Sequence, residues 1–244
     1  MKHIIKKRDC VGFMIVLFSL FLSTSRSFAG ENQPAMRYPA FFDRIESIVL
    51  KDALGEFIGT SKNGIIEITY TDTVKMAGHS CAVVGGAYLA ALEGLKALYG
   101  DEIPQRGEII VELKNSPTQD NAGVIGSVLS NITGATTDDG FGGIPGGQFN
   151  RRNLLFYNAP IDTDIRFTRL DTKKQVGVNY HPEKAVNPRA ILMSAMGPNA
   201  TPESKKTFPE RFQKMVKTLF EHRNRVVEII EYDPLALPHG EGND

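Results

Sequence analysis

The chain contains 244 residues, and its 28 Lys and Arg side chains balance 28 Asp and Glu side chains, giving a formal net charge of zero at pH 7. No basic stripe is available to neutralise phosphates, which argues against nucleic acid as a partner. A chain of this length can bury one substantial core, and neither a linker-like stretch nor a repeat divides it. We therefore expect one domain, over residues 38–234.

The first 29 residues have the pattern of a secretory signal peptide. A basic start, residues 1–9, precedes an apolar run of 12 residues from Val11 to Leu22, which is too short to span a bilayer comfortably. Ser27-Phe28-Ala29 then places small residues where signal peptidase requires them. We predict cleavage before Gly30 and a periplasmic or secreted protein without membrane contact after cleavage. An uncleaved N-terminal anchor is the alternative.

Cleavage would change both the charge and the cysteine content of the chain. Lys and Arg would fall from 28 to 23 and Asp and Glu from 28 to 27, a net formal charge of −4. Of the two cysteines only Cys81 would remain, because Cys10 precedes the apolar run. The mature chain would begin with a short tail, residues 30–37.

Hydrophobic periodicity in the first half of the mature chain predicts alternating helices and strands. The predicted elements are a helix over 38–54, a strand over 65–70, a helix over 81–99, a strand over 108–113 and a helix over 122–132. Gly100 and Gly134 mark the ends of the last two helices. Gly85, Gly86 and Gly94 lower helix propensity by about 1 kcal/mol each, so we expect another backbone to approach the 81–99 helix closely.

The second half has more strand composition and ends with a long helix. We predict strands over 153–158, 164–170 and 175–180, the last two forming a hairpin. Thr207-Phe208-Pro209-Glu210 matches a capping box, which predicts a helix from there to Glu231, followed by a tail over 235–244. The fold class predicted is α+β, with a mixed or antiparallel sheet packed against helices and a long C-terminal helix.

His79 and Cys81 are the candidate functional residues, in Gly78-His79-Ser80-Cys81 before the 81–99 helix. A lone cysteine in an exported chain cannot form an intramolecular disulfide. Thiolate and imidazole together suit zinc, or another soft transition metal such as copper. A helix N-terminus also favours an anionic group. The alternatives are a nucleophilic Cys81 with His79 as its base, and a buried cysteine that only packs.

This segment, with Gly85-Gly86 after it, resembles the His-x-Cys signature of the FmdE family, named after a component of formylmethanofuran dehydrogenase. The likeness continues through Ile132-Thr133-Gly134-Ala135-Thr136 and Asn153-Leu154-Leu155-Phe156-Tyr157, and it covers most of residues 40–180. The resemblance implies an α+β core, often dimeric, with a metal, usually zinc, near the His and Cys. It does not imply a role in methanogenesis.

The chain departs from the family pattern in its other cysteines. Asp120, Asn121 and Ala135 stand in the neighbourhood where family members often carry cysteines, and no cysteine follows Cys81, so the C-terminal zinc finger of some members is missing. His181, a carboxylate such as Asp138 or Asp139, water or a small ligand would have to complete the metal site. Three or fewer protein ligands would leave an open position, as in a catalytic or transfer site.

A glycine-rich stretch over 138–150 precedes Arg151 and Arg152. It lacks the Gly-Lys-Ser/Thr ending of a phosphate-binding loop. It is predicted to be either a simple connection or a flap over His79 and Cys81, with the two arginines holding an anionic ligand or facing solvent.

The functional prediction is an exported FmdE-like protein that binds a transition metal, most simply zinc, through His79 and Cys81, with His181 as a further candidate ligand. The sequence does not set its physiological role: catalysis, metal handling and accessory service to a redox or metal-handling system stay open. The alternatives are a metal-free thiol enzyme that uses Cys81 and His79, and a non-catalytic module that binds a small ligand or a protein. A homodimer is expected, because the predicted 207–231 helix is long for one core and apolar at both ends.

Overall fold

Residues 38–232 are described by a computed structural model of the protein. The predicted signal peptide and the predicted tails over 30–37 and 235–244 lie outside the described residues. The seven α-helices of the described part are α1 Ala53–Phe57, α2 Tyr70–Ala77, α3 Ala82–Tyr99, α4 Ala122–Thr133, α5 Pro188–Met196, α6 Pro202–Glu221 and α7 Arg223–Val226. Its seven strands are β1 Ile48–Lys51, β2 Ile65–Ile68, β3 Ile109–Leu113, β4 Leu155–Phe156, β5 Ile165–Arg169, β6 Gln175–Tyr180 and β7 Val227–Glu231.

The strands form two sheets. Five of them lie in the order β4-β3-β5-β6-β7, with β3 and β4 parallel and the other neighbours antiparallel. The hairpin predicted between the 164–170 and 175–180 segments is confirmed, with Phe167 opposite Val176. The remaining pair, β1 and β2, is antiparallel, with Ile48 opposite Ile68. The mixed sheet and the helices around it confirm the α+β class and the single domain.

Helix α3 lies at the centre of the core, in contact with β5, β6 and β7 and with α4 and α6. Its glycines let neighbours come close, but those neighbours are aromatic side chains rather than the backbone expected from the sequence. A Cβ at Gly86 would overlap the Tyr180 ring, and one at Gly94 would lie 2.6 Å from Phe167. The strand aromatics therefore fix how α3 sits on the sheet.

The helix predicted over 38–54 is wrong. The segment contains a 3-10 turn, Phe42–Arg44, then β1 and the short helix α1. Ile48 and Leu50 are buried while Val49 between them is exposed, which is the two-residue period of a strand. Asp52 follows this strand and is the N-cap of α1. Its carboxylate accepts a hydrogen bond from the Gly55 amide at 3.0 Å.

The long C-terminal helix exists, but its predicted bounds are wrong. Thr201 caps α6 and forms a capping box with Ser204, so the helix begins five residues before Thr207. It ends at Glu221, and residues 227–231 form the strand β7, with Ile229 opposite Val178. Helix α5 was not predicted. Within residues 38–232, no helix has the length and apolar composition needed to cross a membrane.

Candidate functional site

His79 and Cys81 lie in a tight connection between two helices, which we call the His79–Cys81 junction and define as residues 78–81. Helix α2 ends at Ala77, and Gly78 follows in the left-handed conformation, with φ of 78°. Helix α2 therefore lies between the strand β2 and the junction, where no helix was predicted from the sequence. Cys81 is the N-cap of α3, as its predicted position implied, and its sulfur accepts the Val84 amide at 3.5 Å.

The His79 ring is exposed and has one hydrogen-bonding contact among residues 38–232, between Nδ1 and the Ala77 carbonyl oxygen at 3.1 Å. A carbonyl oxygen can only accept, so this bond places the proton on Nδ1. The neutral ring then carries its free lone pair on Nε2. The junction thus presents an imidazole nitrogen that can bind a metal or accept a proton.

Cys81 is half-buried and packs against the core close to the buried Tyr70 and the partly buried Tyr180. The hydroxyl of Tyr70 lies 2.9 Å from Ser80 Oγ, and the hydroxyl of Tyr180 donates to the Ala82 carbonyl at 2.9 Å. Burial raises the pKa of Tyr70 and that of Tyr180 well above the usual value, and the nearby Cys81 adds to both shifts. Both phenols therefore stay protonated at neutral pH, and the Tyr180 proton is already donated to the Ala82 carbonyl.

Helix α6 holds the junction from the other side. The Gln213 side-chain amide donates to the Ser80 carbonyl at 3.1 Å. The Gln213 carbonyl oxygen is buried and has no hydrogen-bond partner in the described structure. Contacts from α2, β6 and α6 therefore fix the backbone on which His79 and Cys81 stand.

His181, the third candidate ligand, is engaged elsewhere. Its Nδ1 lies 3.3 Å from a Glu183 carboxylate oxygen, and its Nε2 lies 3.1 Å from a Glu228 carboxylate oxygen. The His181 hydrogen bond is the main cause of a lowered pKa at Glu228, with Asn179 adding to it. This histidine thus ties the end of β6 to β7.

The candidate carboxylates do not complete a metal site either. Asp139 accepts the Thr137 hydroxyl at 2.6 Å. Across residues 38–232, no three His, Cys, Asp or Glu side chains are grouped so that they could hold a metal ion. The donor types at the junction fit zinc or copper, but residues 38–232 offer two candidate ligands there rather than the three or four of common zinc sites.

The glycine-rich stretch does not cover the junction. A groove of about 230 Å³ next to His79 is lined by α2 and α4 side chains, including Met76, Val124 and Asn131, and by none from 138–150. Instead the Phe149 ring packs against the Phe57 ring in a tilted arrangement, with ring centroids 5.4 Å apart. The flap, one of the two alternatives for this stretch, is thus not seen at the groove beside His79.

The arginines that follow this stretch are also held by the protein. Arg151 is buried and pairs with Asp52 at 2.8 Å, so it is neither solvated nor free to hold an anionic ligand. The guanidinium of Arg152 donates to the Gly140 carbonyl.

A second concavity was missed by the sequence reasoning. It has a volume of about 340 Å³ and lies beside the first turns of α3 and α4, bordered by the ends of β3 and β6 and the start of β5. The sequence does carry one signal, the Asp120-Asn121 dipeptide before α4, and both residues have positive φ, 47° and 62°. Acidic and amide side chains tolerate this conformation, but only the tertiary fold places them around a cavity.

A comparison with protein-family models found no match to this chain, and a comparison with curated proteins found none either. The likeness to the FmdE family therefore depends on the residues quoted for it and stays a prediction.

Proposed function

We propose that the protein is an exported, FmdE-like protein that binds a soft transition-metal ion, zinc first and copper second, through His79 Nε2 and Cys81 Sγ. The observation that supports this proposal most is the contact between His79 Nδ1 and the Ala77 carbonyl. A ligating histidine almost always gives its other ring N–H to a carboxylate, a carbonyl or water, which fixes the ring and its tautomer.

The two side chains do not form a hydrogen-bonded catalytic pair in the described part of the chain. Within the described structure, Cys81 Sγ accepts the Val84 amide and His79 contacts Ala77, with no hydrogen bond joining the two side chains. A metal ion would bind each ligand at about 2.0–2.3 Å and so join two groups that do not meet directly. With two protein ligands, water or a small ligand would fill the other positions. Such a site suits metal handling or transfer better than a closed structural role.

Metal content tests the proposal directly. The purified protein, Cys81→Ser, His79→Gln and His181→Gln would each be loaded with zinc or copper(I), desalted and measured by elemental analysis. We expect about one ion per chain in the unmodified protein and in His181→Gln, and a large loss in the two junction variants. Equal, negligible metal in the unmodified protein and in Cys81→Ser contradicts the proposal.

Cys81 at a helix N-cap also suits a nucleophile, because that position favours a thiolate. Alkylation by iodoacetamide separates the two functions. A metal-bound thiolate should react markedly faster after a chelator removes the ion, whereas a free catalytic thiol would react quickly with or without chelator. Labelling that is equally fast with and without chelator favours the thiol enzyme. A protein with neither metal nor a reactive thiol would be a binding module.

We propose further that the protein is a homodimer, although the structure changes the reason for expecting one. The length of the predicted 207–231 helix is no longer a reason, since α6 ends at Glu221. Helix α5 instead exposes apolar side chains, with Met196 at 74% exposure and Met193 at 46%. Light scattering at micromolar concentration should give twice the monomer mass, and Met196→Glu should shift it to the monomer. A monomer mass for the unmodified protein at every concentration contradicts this proposal.

A further inference from the structure

The cavity of about 340 Å³ beside the first turns of α3 and α4, which we call the α3–α4 cavity, has the size of a small-ligand site. Apolar side chains from four elements form much of its wall. They include Val83 and Ala87 of α3, Leu113 of β3, Ile125 of α4 and Ile165 of β5. The Tyr180 ring, packed on Gly86, forms another part of the wall. A ligand that fills the cavity must therefore have an apolar body.

The charges at the cavity have one sign. Asp120 and Asp164 line it, and none of the Lys, Arg or His side chains of residues 38–232 does so. Each carboxylate uses one oxygen internally: Asp164 accepts the Tyr180 amide at 2.9 Å, and Asp120 accepts the Asn115 side-chain amide at 3.1 Å. The other oxygen of each has no donor among the described groups. The wall can therefore accept hydrogen bonds from a ligand and attract a positive charge.

The N-terminus of α4, which also borders the cavity, offers little to an anion. Its first amides are already satisfied by the preceding loop. Ala122 N donates to Gln119 O, Gly123 N to Pro117 O and Val124 N to Asn121 O, each at 2.9 Å. An anion at this helix end would lack amide donors and would face two carboxylates.

From these features we infer that the α3–α4 cavity binds a small amine, with its apolar body against the α3, β3 and β5 side chains and its ammonium group at Asp120 and Asp164. Neither His79 nor Cys81 lines the cavity. The inference is therefore independent of the proposed metal site.

Three probes with one apolar body and different charges test the inference: benzylamine, benzyl alcohol and benzoate. Each would be titrated into the isotopically labelled protein at pH 7 and followed by two-dimensional NMR. We expect benzylamine to shift the Ala87 and Ile125 amide resonances and to bind about three- to tenfold more tightly than benzyl alcohol. Benzoate should bind more weakly than either.

Variants of the two aspartates test whether their charges bind the ammonium group. Asp164→Asn keeps an oxygen that can accept the Tyr180 amide, and it should weaken benzylamine about three- to tenfold while leaving benzyl alcohol unchanged. Asp120→Asn provides a second, independent removal of charge. Asp162→Asn is the matched control, because Asp162 is exposed nearby and does not line the cavity. Cys81→Ser should leave benzylamine binding unchanged.

Three results would overturn the inference. The first is no binding of any probe at millimolar concentration. The second is benzoate binding as tightly as benzylamine. The third is unchanged benzylamine affinity in both Asp164→Asn and Asp120→Asn.

Discussion

The Asp52 ion network and the His79–Cys81 junction use their polar side chains in opposite ways. In the network, which comprises Asp52, Arg106 and Arg151, each guanidinium lies 2.8 Å from a different oxygen of the one carboxylate. Arg106 also donates to the Ile132 and Asn131 carbonyls at the end of α4. At the junction, by contrast, His79 contacts one carbonyl and keeps a ring nitrogen free. Groups paired within the protein hold the fold together, whereas groups left available mark where a ligand can bind.

Removal of Asp52 should give the largest loss of stability. Asp52→Ala leaves Arg151, which is 6% exposed, without its ion-pair partner, and it removes the cap of α1. Breaking a buried pair from one side costs about 3–5 kcal/mol, and we expect a loss of that size in the free energy of unfolding. Urea unfolding at pH 7 measures it. Asp43→Ala, at an exposed carboxylate without an ion pair in the described structure, should cost less than about 0.5 kcal/mol.

If the Asp52 ion network and the His79–Cys81 junction are separate, folded Asp52→Ala should still bind metal at the junction. A loss of metal without a loss of stability in Asp52→Ala would mean that the two regions are not separate.

The network should also make stability depend on pH. Burial works against ionisation of Asp52, but the Gly55 amide and the two guanidinium groups outweigh it and lower its pKa. A lowered pKa in the folded state adds stability at any pH above the unfolded-state pKa of about 3.9. This stability is lost as the pH falls through the folded-state pKa. The free-energy difference between the unmodified protein and Asp52→Asn should therefore shrink below about pH 4. If the free-energy difference between the two proteins stays constant from pH 6 to pH 3, the lowered pKa of Asp52 is contradicted.

Gly86→Ala should have an intermediate effect. The new Cβ would overlap the Tyr180 ring, whose hydroxyl donates to the Ala82 carbonyl next to Cys81. Overpacking of a core typically costs about 1–3 kcal/mol, and we expect that cost in urea unfolding. Gly55→Ala is the control, because its Cβ would meet its nearest neighbour at 3.4 Å. That change should be neutral or should gain up to about 1 kcal/mol from helix propensity. Equal effects of the two substitutions would show that Tyr180 moves freely.

Elements with strong local signals could be predicted from the sequence, and elements defined by distant partners could not. Helices α3 and α4 end at Gly100 and Gly134, as the sequence indicated, and the β5–β6 hairpin joins neighbouring segments. Two of the errors lie in β1 and β7, whose apolar residues also fit a helical period. Their strand conformation depends on pairing with β2 and β6, and the partner of β7 lies about fifty residues away.

The same distinction applies to the functional regions. The position of Cys81 at the start of α3 follows from local sequence, because a glycine-containing turn precedes an apolar helix. The Asp52 network joins residues 52, 106 and 151, and the α3–α4 cavity joins five elements. No spacing rule relates such residues, since only the tertiary fold brings them together.

Cys81→Ser should have the smallest effect on stability, although it should remove the metal. Serine is a preferred N-cap residue, and its hydroxyl can accept the Val84 amide in place of the sulfur. The gain from a better cap opposes the loss of sulfur packing against the core, so the free energy of unfolding without metal should change by less than about 0.5 kcal/mol. Urea unfolding in the presence of chelator measures this change. A loss above about 1.5 kcal/mol would mean that Cys81 serves mainly to pack the core, and the junction would then resemble the Asp52 network rather than contrast with it.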